Sequence, residues 1–278
     1  SELKGYLSFG FYQTGDSIVN FFNSQIDLIL VGRLLGTEVL GGYSLVRQLC
    51  FRPAMVINPV LTRVAFPVMA KLQCSPELPK VYCKLVTAVG ILNFPLYVAM
   101  IVLAAPIVLT LFGAQWLHIV PVLQLMALWC IVRSVMNPVG SLLMAVGKVK
   151  LALKWNSSLL LIMPVIIYYS TTFGVLGVAM TLAILQACLL PGHWFFLLNQ
   201  SVGIQYKDII SSLSRPLFSA VLAGLITWLF IEQLSFLPFL YQLVIGVTIG
   251  ALSYILLALQ LCPMSRAILK GNFSIEPK

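Results

Sequence analysis

Apolar residues run along this chain in blocks of about 20 or more, the length a helix needs to cross a bilayer. Eight such blocks predict eight transmembrane helices, at approximately 6–32, 39–70, 84–112, 119–146, 150–172, 174–198, 214–232 and 237–261. Turn-forming residues separate them: Gly36 with Gly41 and Gly42, Ser75-Pro76, Gly113, Gly147, Gly174, Gly203 and Pro238. The second block is long and contains Pro53, Pro59 and Pro67, which predicts a kinked helix extending beyond the bilayer.

Polar residues within the first block are ordered. Gln13, Asp16, Asn20, Asn23 and Asp27 recur at steps of 3, 4, 3 and 4, so they share one helix face. Val19, Phe21, Phe22, Ile26 and Leu30 make the rest of that helix apolar. A charge near the bilayer centre costs about 2.5–3.5 kcal/mol on insertion scales, so such a face points at protein or water. It either lines a wet cavity or bonds to neighbouring helices without any ligand.

Three other blocks carry polar side chains. The second has Gln48, Arg52 and Arg63; the two arginines share a face, about 16 Å apart along a straight axis. Arg47 lies on another face, nearer the end, where it could snorkel. The fourth has Arg133, Asn137 and Ser141 at steps of four, and the fifth has Lys154 and Ser158 with Asn156 close by. Guanidinium groups suit phosphate oxygens because they donate two parallel, charge-assisted hydrogen bonds. Asn20, Asn23, Asp27, Arg52, Arg63, Arg133 and Asn137 are therefore the candidate substrate-binding residues, and Asp16 and Asp27 the candidate ion-coupling residues. The alternative for any one arginine is an internal salt bridge to Asp16 or Asp27. The surplus of intramembrane arginine over acid favours an anionic guest.

Composition supports lipid as the solvent. The chain is 60% hydrophobic and 9% charged, with a mean hydropathy of +1.00, whereas a soluble domain carries roughly 25% charged residues. Net charge is +9, and in a soluble chain that would suggest nucleic acid. Here twelve of the basic residues fall in the segments flanking alternate blocks: Lys4, Lys71, Lys80, Lys84, Lys148, Lys150, Lys154, Lys207, Arg215, Arg266, Lys270 and Lys278. Arg33 alone occupies the opposite side. Because positive loops stay in the cytoplasm, this pattern predicts both termini inside and no nucleic-acid role.

Soluble-enzyme chemistry is not evident. The six cysteines lack paired metal spacing and read as small buried hydrophobes. His118 and His193 lie far apart, without a neighbouring carboxylate motif, and there is no P-loop. No cofactor, metal or catalytic set is expected, so transport is favoured over enzymology. The chain opens at Ser1 rather than Met, which suggests a processed or partial product.

Two stretches carry a resemblance. One is FGFYQTGDSIVNFFNSQIDLILVGRLLGTEVLGGYSLVRQL (9–49) with INPVLTRVAFPVMAKLQ (57–73); the other is FGAQWLHIVPVLQLMAL (112–128) continuing through NPVGSLLMAVGKVKLALKWN (137–156). They resemble bacterial polysaccharide flippases of the multidrug/oligosaccharidyl-lipid/polysaccharide exporter superfamily, of the O-antigen and colanic-acid type. The resemblance covers most of residues 4–200. It implies a two-lobed transporter with six helices per lobe and two appended helices. Residues 1–200 would be the C-terminal lobe and 201–278 the appended pair with a cytoplasmic tail, the first lobe being absent. The implied substrate is an undecaprenyl-pyrophosphate-linked oligosaccharide moved across the bacterial inner membrane. The implied partners are membrane lipid and other polysaccharide-assembly membrane proteins. By the same resemblance Asp27 and Arg33 lie at a helix end near the cavity mouth. A drug/cation antiporter, for which acids should dominate the cavity, and a membrane glycan polymerase or ligase are the competing readings.

Overall fold

The structure, a computed structural model, describes residues 2–234 and 236–269. Lys270 and Lys278 lie outside the described residues, as does the side chain of Lys4. Among the described residues the regular structure is helical throughout. The elements are α1 (Glu2–Leu34), α2 (Thr37–Lys71), α3 (Leu78–Val102), α4 (Ala104–Leu111), α5 (Val120–Met136), α6 (Val139–Ala145), α7 (Val149–Ser170), α8 (Gly174–His193), α9 (Gln200–Val202), α10 (Tyr206–Gln233), α11 (Phe239–Leu261) and α12 (Pro263–Leu269). A π-helical stretch, Trp194–Asn199, joins α8 to α9.

Six helical stretches among the described residues are long and apolar enough to cross a membrane. One of them, Val149–Val202, contains both α7 and α8. The 33-residue α1 is not among the six, and its row of amides and acids is what lowers its hydropathy. The sequence expectation of eight spans therefore counts α1 as a span and divides Val149–Val202 at Gly174.

The breaker residues act as the sequence implies. Gly36, Gly113, Gly147, Gly174 and Gly203 all carry positive φ, at 89°, 91°, 71°, 72° and 69°. A side chain is strained there, so glycine lets each rod stop and the chain reverse. By contrast, α2 runs through Pro53, Pro59 and Pro67 as one helix.

Packing sorts the connections to two ends of the bundle. At one end, a Cβ on Gly42 would lie 3.0 Å from the Trp116 ring, so the first turns of α2 abut the segment before α5. At the other end, Lys148 donates to the carbonyls of Gln200 (3.2 Å) and Ser201 (2.8 Å). Within the bundle α1 packs chiefly on α7, α5 on α3 and α8, and α10 on α3 and α11. Phe11, Ile18, Phe21, Phe22 and Ile29 of α1 are exposed, and so are Phe218, Trp228, Val244 and Leu256 of α10 and α11. Exposed apolar rings over an interior that holds amides and charges invert the soluble pattern. This is an integral membrane protein.

Candidate functional site

The polar face of α1 meets two neighbouring helices, with Asn20 on it left exposed. Asn156 of α7 donates through Nδ2 to Asp16 Oδ1 at 2.8 Å, and Asn23 Nδ2 donates to the Asn156 carbonyl at 2.8 Å. One turn further, Asp27 faces α2 instead. It accepts from Arg47 Nε (2.8 Å) and Nη2 (3.2 Å) and from the Tyr43 hydroxyl (2.8 Å). Arg47 also donates to the Ser24 carbonyl. Asp27 and Arg47 are 3% and 7% exposed, so the pair is sealed. Arg47 therefore does not snorkel: a buried carboxylate four turns into the sequence pattern supplies the counter-charge that would otherwise have been sought in water.

Two cavities adjoin, and exposed residues, Asn20 and Asn137 in one and Arg52 and Asn137 in the other, stand on their walls. The smaller, about 180 Å³, lies among α1, α5, α7 and α8 and is lined in part by Asp16, Asn20, Asn23, Asn156, Gln186 and His193. The larger, about 670 Å³, lies among α2, α3 and α5, with Gln48, Arg52, Phe51 and Tyr97 on its wall. Ser24, Arg133 and Asn137 line both. Arg133 is the shared wall.

Its surroundings are unusual for a guanidinium. The Cζ atom of Arg133 lies 5.1 Å from the Phe51 ring centroid and 5.0 Å from the Trp129 ring. Arg47 covers the same Phe51 ring at 4.5 Å. Ring quadrupoles offset part of the cost of holding these charges away from water. Among the described residues Arg133 makes no hydrogen bond or ion pair, so its N–H donors are uncommitted, in contrast to those of Arg47. A fork of donors, oriented by aromatic faces and open to two cavities, is suited to phosphate oxygens.

Other polar atoms face the same space without protein partners. The Tyr97 hydroxyl on the larger cavity and His193 Nε2 and Asn23 Oδ1 on the smaller one are buried and unbonded. Gln186 is held by Trp129, whose Nε1 donates to Oε1 at 3.1 Å. Below Arg133, Asn58 Nδ2 donates to the Ser134 carbonyl (2.8 Å), and Asn93 Nδ2 donates to Asn58 Oδ1 (3.0 Å). These amides tie α2 and α3 to α5 at the level where α5 ends.

The structure brings together most, not all, of the candidate residues. Asn20, Asn23, Asp16, Arg133 and Asn137 line the smaller cavity, and Arg52, Arg133 and Asn137 the larger. Arg63 is exposed and lines neither. Asp27 is consumed by Arg47 and lines neither. Arg33 is exposed at the end of α1. The Arg133, Asn137, Ser141 row is broken at Pro138, where α5 gives way to α6, and Ser141 faces neither cavity. In α7 the residue that enters is Asn156, while Lys154 and Ser158 are exposed. Cys50, Cys130 and Cys262 are buried as expected, but Cys74 and Cys188 are exposed.

Sequence reasoning did not single out Phe51, Tyr97, Gln186, Asn58 or Asn93. The lone amides of Asn93 and Gln186 inside apolar runs were a usable signal. Phe51 gave none, since its role depends on which two arginines flank it.

Comparison with known proteins places this architecture. Residues 1–121 match the family model described as polysaccharide biosynthesis protein. The lipopolysaccharide biosynthesis protein WzxC of Escherichia coli is 36% identical over 214 residues, which is 76% of this chain and 44% of that protein. The teichuronic acid biosynthesis protein TuaB of Bacillus subtilis is 33% identical over 281 residues, 98% of this chain and 57% of that protein. The solved structure of the lipid II flippase MurJ, in an inward closed conformation, shares the fold. It matches with a TM-score of 0.67 at 15% identity, over 92% of this chain and 52% of the other. The chain spans about half the length of the curated relatives it matches. By its matched residues and its relatives, the chain is similar to the polysaccharide biosynthesis protein family, and it is an integral membrane protein.

Proposed function

We propose that the chain is the C-terminal lobe, with two appended helices, of a flippase that moves an undecaprenyl-pyrophosphate-linked oligosaccharide across the bacterial inner membrane. The observation that carries this reading is Arg133, whose donors are unspent by protein and face both cavities. The pyrophosphate binds there and at Arg52, while the sugars hydrogen-bond to Asn20, Asn23 and Asn137. Arg63, on the exposed face of α2, meets the headgroup only when the other lobe completes the path. Residues 1–200 form the lobe and 201–278 the appended pair, a division supported by the packing of α10 and α11 against each other and α3. The work is transport and not bond-breaking. The relatives are biosynthesis proteins of surface polysaccharides and the shared fold is that of a lipid II flippase.

Eight spans with both termini cytoplasmic fit the sorting of connections, since Lys148 meets Gln200 and Ser201 at one end. Asp16 is the better ion-coupling candidate. It lines the smaller cavity beside Asn156, whereas Asp27 would have to break the Arg47 pair before it could carry a cation.

Titration of the detergent-solubilised chain with a fluorescent undecaprenyl-pyrophosphate oligosaccharide tests the reading. Arg133→Gln should weaken binding roughly tenfold or more, the loss of a charge-assisted bidentate contact, while Asp16→Asn leaves binding of the headgroup intact. Unchanged affinity in Arg133→Gln overturns the assignment, and stronger dependence on Asp16 than on Arg133 favours the cation-antiporter reading.

A further inference from the structure

A second pair of features lies on the outer side of the bundle, away from both cavities described above. The ends of α3 and α10 and the α11–α12 corner enclose a pocket of about 820 Å³. Among the described residues its charged lining is Lys80, Lys84, Arg215 and Asp208, with the hydroxyls of Thr87 and Ser212 beside them. Lys80 also pairs with Glu77 at 3.0 Å, an exposed contact of little energetic weight. The same three helices form a second concavity of about 210 Å³ deeper along their common seam. Its wall is apolar and contains small residues, including Ala223, Gly224, Gly246, Gly250 and Ala251.

The spacing of the two is informative. Arg215 to Ala220 at the slot's near rim is five residues of α10, about 8 Å; Lys84 to Pro95 is eleven residues of α3, about 17 Å. One leaflet of hydrocarbon is about 15 Å thick. The small residues serve close approach of helices: a Cβ on Gly224 would fall 2.4 Å from Val98 Cγ1, and one on Gly246 2.6 Å from Leu103 Cδ2. On the slot's wall, the Tyr254 hydroxyl donates to the Ile91 carbonyl at 2.7 Å and holds α11 against α3. The slot still opens outward, because Leu96, Val247, Ala251 and Ile255 on its wall are exposed.

We propose that this seam is a binding site for one anionic glycerophospholipid, its phosphate in the Lys80/Lys84/Arg215 pocket and one acyl chain in the slot between α3, α10 and α11. A phosphodiester complements the basic side chains of this lining, and basic pockets between spanning helices suit anionic headgroups. The slot below it supplies what a free phosphate would not need. Such a lipid fastens the appended α10–α11 pair to α3, and the inference stands apart from any assignment of the transported substrate.

Native mass spectrometry of the detergent-purified chain, delipidated and then titrated with phosphatidylglycerol or phosphatidylcholine of equal chain length, provides the test. Phosphatidylglycerol should bind with at least tenfold preference. The triple variant Lys80→Gln/Lys84→Gln/Arg215→Gln should lose affinity on the order of 100-fold. The double variant Lys80→Gln/Arg215→Gln, confined to exposed side chains, should show an intermediate loss without a folding defect, checked by helical circular dichroism. Ala251→Phe, on the open wall of the slot, should weaken both lipids alike. Equal retention of phosphatidylglycerol by the wild type and the triple variant overturns the proposal. So does displacement of the lipid by millimolar glycerol phosphate together with indifference to Ala251→Phe, since the pocket would then be a site for soluble phosphate.

Discussion

Arg47 and Arg133 lie against one Phe51 ring, at 4.5 and 5.1 Å, and yet they have opposite fates. Arg47 spends its donors on Asp27 and the Ser24 carbonyl and leaves almost no surface exposed. Arg133 has aromatic faces for neighbours and no hydrogen-bonding partner among the described residues, and it opens to two cavities. The difference is a matter of what lies opposite. An intramembrane arginine facing a carboxylate becomes structural cement between α1 and α2. One facing rings and amides keeps its hydrogen-bonding capacity for a guest. Counting buried arginines therefore overstates the number available to bind an anion.

Removing Asp27 breaks the comparison most severely. Asp27→Ala leaves Arg47 buried without a counter-charge and should cost about 3–5 kcal/mol, seen as a large drop in thermal unfolding temperature in detergent. Arg133→Gln should barely move that temperature while it lowers affinity for the lipid-linked headgroup, and equal destabilisation by the two variants would erase the distinction between the two arginines. Next comes Asn58→Ala, which strips a partner from buried Asn93 and should cost about 1–3 kcal/mol with no direct loss of a cavity donor. Phe51→Leu removes the ring both arginines share and should cost about 1–2 kcal/mol; the sharper readout is a weakened headgroup affinity caused by a residue that carries no charge. The smallest effect is expected from Asn156→Ala, about 0.6 kcal/mol as for typical hydrogen bonds between membrane helices, measured by the same melting assay.

The helical architecture was largely written in the linear pattern. The five glycines that carry positive φ are breakers visible as interruptions between apolar runs. The α1 stripe was visible too, because steps of three and four mark one helix face irrespective of what the face meets. Its subdivision was not. Asp16 and Asp27 are eleven residues apart on the same stripe, but Asp16 meets α7 and Asp27 meets α2. Similarly, Ser141 kept the spacing of Arg133 and Asn137 and lost their company at Pro138, where the helix stops.

What the sequence determined by itself is the solvent, the helical class and the sharing of one face by the amides and acids of α1, since these follow from hydropathy and from the fixed 100° per residue of an α-helix. Only the tertiary structure decided which arginine is neutralised, which rings hold the other, and that pocket and slot align on one seam of α3, α10 and α11. Those outcomes depend on distances of a few ångströms between residues far apart in sequence, such as Asp27 and Arg47 or Phe51 and Arg133, and charge pairing and cation–π contact fall away steeply beyond that range.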